Sequence, residues 1–177
     1  MANKKINNNQ ALSWHIVEDK IISEINWLMR NIDIYKDKDC PIDVCRSCLL
    51  RKIAIMIVSG QIQATKLNKT SISKSFWSKT KKDYNHKKIF HGNDWHQKTM
   101  RTIENHYLSK GYHVIREQNL HWGRADLGVY KKNKADLLIE VGTTSFYKIW
   151  YNLQTMHKFI YLIVPNNDYL IEFIKSE

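Results

Sequence analysis

Asp126 and Glu140 are the pair of residues in this chain best placed to do chemistry together. They lie in two short stretches, 124–130 (RADLGVY) and 135–141 (ADLLIEV), separated by the turn-like KKNK of residues 131–134. This pattern predicts a β-hairpin. A turn centred near Asn133 opposes residues whose numbers sum to 266, so Asp126 faces Glu140. Directly opposed residues share a sheet face, with Cβ atoms about 4.5–5.5 Å apart. Leu127 and Val129 then point one way with Leu137, Ile139 and Val141, and both carboxylates point the other way. Two opposed carboxylates beside a core repel each other and are costly to desolvate. A hard divalent cation, Mg²⁺ or Mn²⁺, relieves both problems, because such ions take one or two carboxylates and complete their shell with water. It would also activate water and neutralise charge on a phosphodiester. The competing reading is two solvated acids on an open sheet face, and a register slip of one residue would separate them.

The surrounding pattern supplies elements to hold such a pair. Asp94 as N-cap with Gln97 three residues on has capping-box spacing, and a helix is expected to about Lys110, with Gly111 beyond it. Met100, Ile103 and Tyr107 mark its buried stripe, and His96 falls on that stripe. A histidine there can hold a water or serve as a general base, or it can simply be a hydrogen-bonded core residue. Strands are expected at 112–117, 124–130, 135–141, 159–164 and 169–174, with a helix over 146–156. The run FIYLIV at 159–164 suits a strand buried on both faces. The fold class is therefore mixed α/β, a small central mixed sheet flanked by helices.

These residues resemble the PD-(D/E)XK nuclease superfamily, in particular its small Holliday-junction-resolvase-like and archaeal nuclease-like members. The resemblance covers about residues 93–165, in the order helix (DWHQKTMRTIENHYLSKGY), strand (HVIREQNL), strand with an acid (RADLGVY), strand with an acid (ADLLIEVG), helix, strand (FIYLIVP). It implies a restriction-endonuclease-like fold, with Asp126 and Glu140 as metal-binding, catalytic acids and a homodimer as the common assembly. Arg124, just before the aspartate, would touch a phosphate. The family's lysine falls at position 142, where this chain has glycine. Some members move that lysine elsewhere, and Lys148 is the first candidate, with Lys98 behind it. By periodicity Lys148 lies opposite Phe146, Ile149 and Leu153, so a solvent-facing lysine is the competing reading. The family's first helix often adds a polar residue to the site, for which His96 and Glu104 are the options.

The N-terminal half has its own signals. Amphipathic helices are expected over about 13–30 and 44–59, and the polar start at 1–12 is expected to be unstructured. Cys40, Cys45 and Cys48 have spacing that fits a structural zinc, with His15, His86, His91 or a group from another molecule as a fourth ligand. A [4Fe–4S] cluster and three reduced thiols are the alternatives. The chain carries a net charge of +11, of which 17 basic and 8 acidic residues fall in 1–92. Lys66–Lys88 holds eight lysines against Asp83 alone. Lys79, Lys81, Lys82, Lys87 and Lys88, interleaved with Phe76, Trp77, Tyr84 and Phe90, suit a nucleic-acid partner, DNA first; a solvated linker is the competing reading.

The expected organisation is a helical module with the cysteine cluster at 1–60, a basic linker at 61–92 and the nuclease-like domain at 93–177. No apolar run approaches a membrane span and no signal region opens the chain, so an intracellular, cytoplasmic protein is expected. The Lys/Ile/Asn-rich composition suggests an AT-rich archaeal or viral genome. The expected activity is metal-dependent DNA endonuclease. A nuclease-like protein that binds DNA without cutting and a zinc-dependent DNA-binding regulator are the alternatives.

Overall fold

The structure, a computed structural model, describes residues 8–32, 46–68 and 94–175. Two helices come first, α1 (Asn8–Asn31) and α2 (Arg46–Val58), followed by strand β1 (Gln63–Asn68). Helix α3 (Asp94–Ser109) leads into β2 (His113–Asn119), β3 (Arg124–Tyr130) and β4 (Asp136–Val141). Helix α4 (Phe146–Thr155), β5 (Phe159–Val164) and β6 (Tyr169–Lys175) complete the order. The six strands form one sheet in the order β1-β6-β5-β4-β3-β2. Every neighbouring pair is antiparallel except β4 and β5. A parallel pair needs a crossover, and α4 supplies it.

Each sheet face has its own core. On one side Leu28, Leu50 and Ile53 of α1 and α2 join Ile149 and Leu153 of α4 over Leu138, Phe159, Tyr161 and Phe173. On the other, Met100 and Ile103 of α3 cover Leu127, Val129, Ile139, Val141 and Leu162. β5 is therefore apolar on both faces, as its unbroken run predicts.

Two expectations need correction. Helix α1 begins at Asn8, so residues 8–12 are helical and not an unstructured start; no Gly or Pro interrupts them, and Ala11 and Leu12 are strong helix formers. Residues 63–68 are a strand and not linker, paired along their length with β6. An edge strand needs main-chain partners more than an apolar face, and QATKLN half-buries only Ala64 and Leu67. The two N-terminal helices share one cluster of buried residues with α4 and the sheet. Residues 69–93 lie outside the described residues, as do Cys40, Cys45 and the lysines Lys79, Lys81, Lys82, Lys87 and Lys88. Cys48 lies in α2 with its side chain exposed. No helix among the described residues is long and apolar enough to cross a membrane.

Candidate active site

The β3–β4 register follows the expected sum, with Leu127 opposite Ile139, Gly128 opposite Leu138 and Val129 opposite Leu137. The ladder stops there, one pair short of the two acids. On the other side of β3 the β2 ladder skips the pair that Asp126 would make with Glu117, whose φ of +51° is left-handed. A side chain in that region costs on the order of 1–3 kcal/mol and is tolerated where surrounding structure enforces it. Asp126 thus sits where regular pairing lapses on both flanks. Strict alternation lapses with it: Ala125 belongs to the core under α4, whereas Leu127 belongs to the core under α3. The simple picture of two acids opposed on one flat face is corrected by this slip.

The carboxylate of Asp126 instead turns onto main chain and helix. Its Oδ2 accepts the Val141 N–H at 2.7 Å and lies 3.2 Å from His96 Nε2 on α3. Val141 follows Glu140 directly, so that hydrogen bond ties the aspartate to the peptide beside the second acid. Glu140 is almost fully buried, its side chain 5% exposed. Its Oε1 accepts the Tyr161 hydroxyl of β5 at 2.8 Å and pairs with Lys148 Nζ of α4 at 2.6 Å. The ammonium of Lys148 also donates to the Arg124 carbonyl oxygen, at the start of β3. The acids therefore have their nearest partners in different layers, yet each lies within the other's field.

Burial pushes the Glu140 carboxyl up to about 7; Lys148 opposes the shift and the Asp126 charge adds to it. His96 is raised from its ordinary value, first by its hydrogen bond to Asp126, with the charges of Asp126, Glu117 and Glu140 adding to it. Both shifts have the same sign for stability. A folded-state pKa above the unfolded one stabilises at low pH, and the contribution is lost as pH rises through the folded value. For Glu140 that window runs from 4.5 to about 7. The metal-free chain is expected to lose on the order of a few kcal/mol between pH 5 and pH 8. In EDTA its melting temperature should fall over that range; a flat or rising profile would contradict the burial of Glu140.

Local structure explains how Lys148 arrives. Ser145 caps α4, its side chain accepting the Lys148 N–H at 3.4 Å, so the lysine stands in the helix's first turn. Asn152, one turn on and fully buried, accepts the Trp122 N–H at 3.1 Å and donates to the Trp122 carbonyl at 2.9 Å. That double bond pins the loop before β3 to α4. Gly123 in the same loop, at φ +74°, lies under the lysine stem: an added Cβ would stand 3.6 Å from Lys148 Cε. Trp122 in turn meets Tyr147 edge-on.

Gly142, at the position where the resemblance places a lysine, has φ +92° and donates its N–H to Val164 O at 2.8 Å. That backbone favours glycine and disfavours any L side chain. The chain leaves β4 in a conformation that disfavours a lysine there, and Lys148 brings an ammonium to Glu140 from α4.

In comparisons with known proteins, no family model, no curated protein and no solved structure matches this chain.

Of the candidates that residue type and spacing single out, Asp126, Glu140, Lys148 and His96 come together. Lys148 is turned inward, its side chain 15% exposed, and not toward solvent. Arg124 is exposed and stands 3.8 Å from Glu117. Glu104 turns from the site to Arg116, with bonds of 3.1 and 3.0 Å to the guanidinium Nε, and that hydrogen bond holds its carboxyl below the usual range. Lys98 is on the exposed face of α3. A cavity of about 360 Å³ lies further along α3, lined by Ile103, Tyr107, Leu162 and Leu170, and does not include the acids. Tyr161, Asn152 and Glu117 are site residues that the sequence does not announce. Tyr161 has one signal, a lone hydroxyl inside an apolar run.

Proposed function

We propose that the chain is a metal-dependent nuclease working in the PD-(D/E)XK manner, with DNA as its substrate. One observation carries this reading: a lysine ammonium seated on a buried glutamate, beside an aspartate placed by a break in strand pairing. The order α3-β2-β3-β4-α4-β5, with β4 and β5 parallel, agrees with the restriction-endonuclease-like arrangement.

The reading rests on a pair of carboxylates, since among the described residues no three His, Cys, Asp or Glu side chains cluster. Mg²⁺ and Mn²⁺ accept such a set because they retain several waters. An ion there also offsets the cost of ionising Glu140 in its buried place. When bound between Asp126 and Glu140, it would lower the pKa of a water and neutralise charge on the phosphate. The remaining roles fall to the chain. An ammonium has three donors, and Lys148 spends two on Glu140 and the Arg124 carbonyl. The third can point to a phosphate oxygen or the attacking water. His96 Nε2–H holds Asp126, while Nδ1 is buried without a partner among the described residues. His96 therefore orients the aspartate and does not act as the general base at Nε2. The net charge of +11 favours a polyanionic substrate.

Gly142 supports a second reading, a nuclease-like protein that binds DNA without cutting. Incubation of the full chain with plasmid and oligonucleotide DNA in Mg²⁺ or Mn²⁺, against EDTA, separates the two. Metal-dependent strand cleavage is expected. Binding with no cleavage under any of these conditions would leave the second reading.

A further inference from the structure

We infer that Tyr161 is the positioning residue that decides which oxygen of Glu140 meets the cation. The inference rests on the metal-binding reading of Asp126 and Glu140 given above. Tyr161 is wholly buried in β5, in a strand whose other residues are Phe, Ile, Leu and Val. Its hydroxyl donates to Glu140 Oε1 at 2.8 Å. Lys148 Nζ reaches the same oxygen at 2.6 Å. The Tyr161 hydroxyl and the nearest approach of Lys148 thus both fall on Oε1. A carboxylate oxygen that already accepts two donors has little capacity left for a cation. Oε2 is the oxygen presented.

The parallel pairing of β4 and β5 makes this arrangement rigid. Glu140 is in register with Ile163, and Tyr161 is in register with Leu138. The two side chains sit on one face, two residues apart along paired strands, and Tyr161 also packs edge-on against Phe159. A phenylalanine would fill the same space in that core. The hydroxyl is the one part of the side chain that packing does not require.

Tyr161→Phe tests this in the full chain. The melting temperature is expected to stay within several degrees of the parent. Mn²⁺ affinity, read by electron paramagnetic resonance of the free ion, is expected to fall about tenfold, as suits loss of a hydrogen bond to a charged group. A second measurement does not depend on the variant folding. In the parent labelled with ¹³C-carboxyl glutamate, with Glu140→Gln as the blank, the infrared difference spectrum on adding Mn²⁺ should show Glu140 bound through one oxygen. That binding widens the separation of the two carboxylate stretches.

A Tyr161→Phe chain that binds Mn²⁺ like the parent, or a narrowed separation showing both oxygens on the ion, overturns the assignment to Tyr161 alone. A parent chain that binds no Mn²⁺ overturns the metal reading and this inference together.

Discussion

Replacing Asp126 with asparagine is expected to lower metal-dependent cleavage about a hundredfold to a thousandfold, the scale on which removal of a charge-stabilising group acts. The amide keeps an oxygen that can accept the Val141 N–H and so preserves the geometry of that bond. It loses the negative charge that would hold the cation, so Mn²⁺ affinity should fall with the rate. The fold should not suffer. The Asp126 charge is one cause of the raised Glu140 carboxyl, and removing it makes ionised Glu140 less costly. At pH 8 without metal, the variant should therefore melt at the parent's temperature or above. Retained cleavage would take Asp126 out of the site, whereas a collapsed melting transition would make its role structural.

Lys148→Ala is expected to separate rate from metal binding. The ammonium repels an approaching cation but also helps to keep Glu140 ionised, and with these effects opposed its removal should leave Mn²⁺ affinity little changed. Cleavage should still fall about a hundredfold or more, within the span of effects seen for a positioned proton-handling or charge-stabilising side chain. A lysine placed at position 142, as Gly142→Lys in the Lys148→Ala background, should not recover the rate. The φ of +92° at Gly142 would hold the new side chain in strained backbone. Space is not the obstacle, since an added Cβ would meet only the Trp95 ring at 3.7 Å. Rescue by that double variant would show that the backbone at 142 adapts and that its strain does not keep a lysine out. Steady-state rates together with Mn²⁺ titrations on the same preparations distinguish these outcomes.

The elements of the C-terminal half were legible because their signals are local. The hairpin register followed from a four-residue turn and two alternating stretches, and Asn133 adopts a left-handed φ of +63° within it. The bounds of β3 and β5 match the expected strands to the residue, since each is a short strand-forming run between turn formers. β1 was not legible. Its residues are polar, and what makes them a strand is β6, at the far end of the chain. The sharing of one core by α1, α2 and α4 was likewise hidden, because an amphipathic stripe shows that a helix is covered and not by what.

The same division runs through the site. Sequence alone singled out Asp126, Glu140 and His96, since residue type and period carry that information over a few positions. It also marked Gly142 as the position where the resemblance places a lysine. It placed Lys148 on the outer side of α4 by periodicity. Periodicity describes one cover for one face, and here two covers meet: the sheet below the helix, and the loop at 120–123 beside it. Only tertiary structure, by fastening that loop through Asn152, turned a helix-edge lysine inward onto a buried acid.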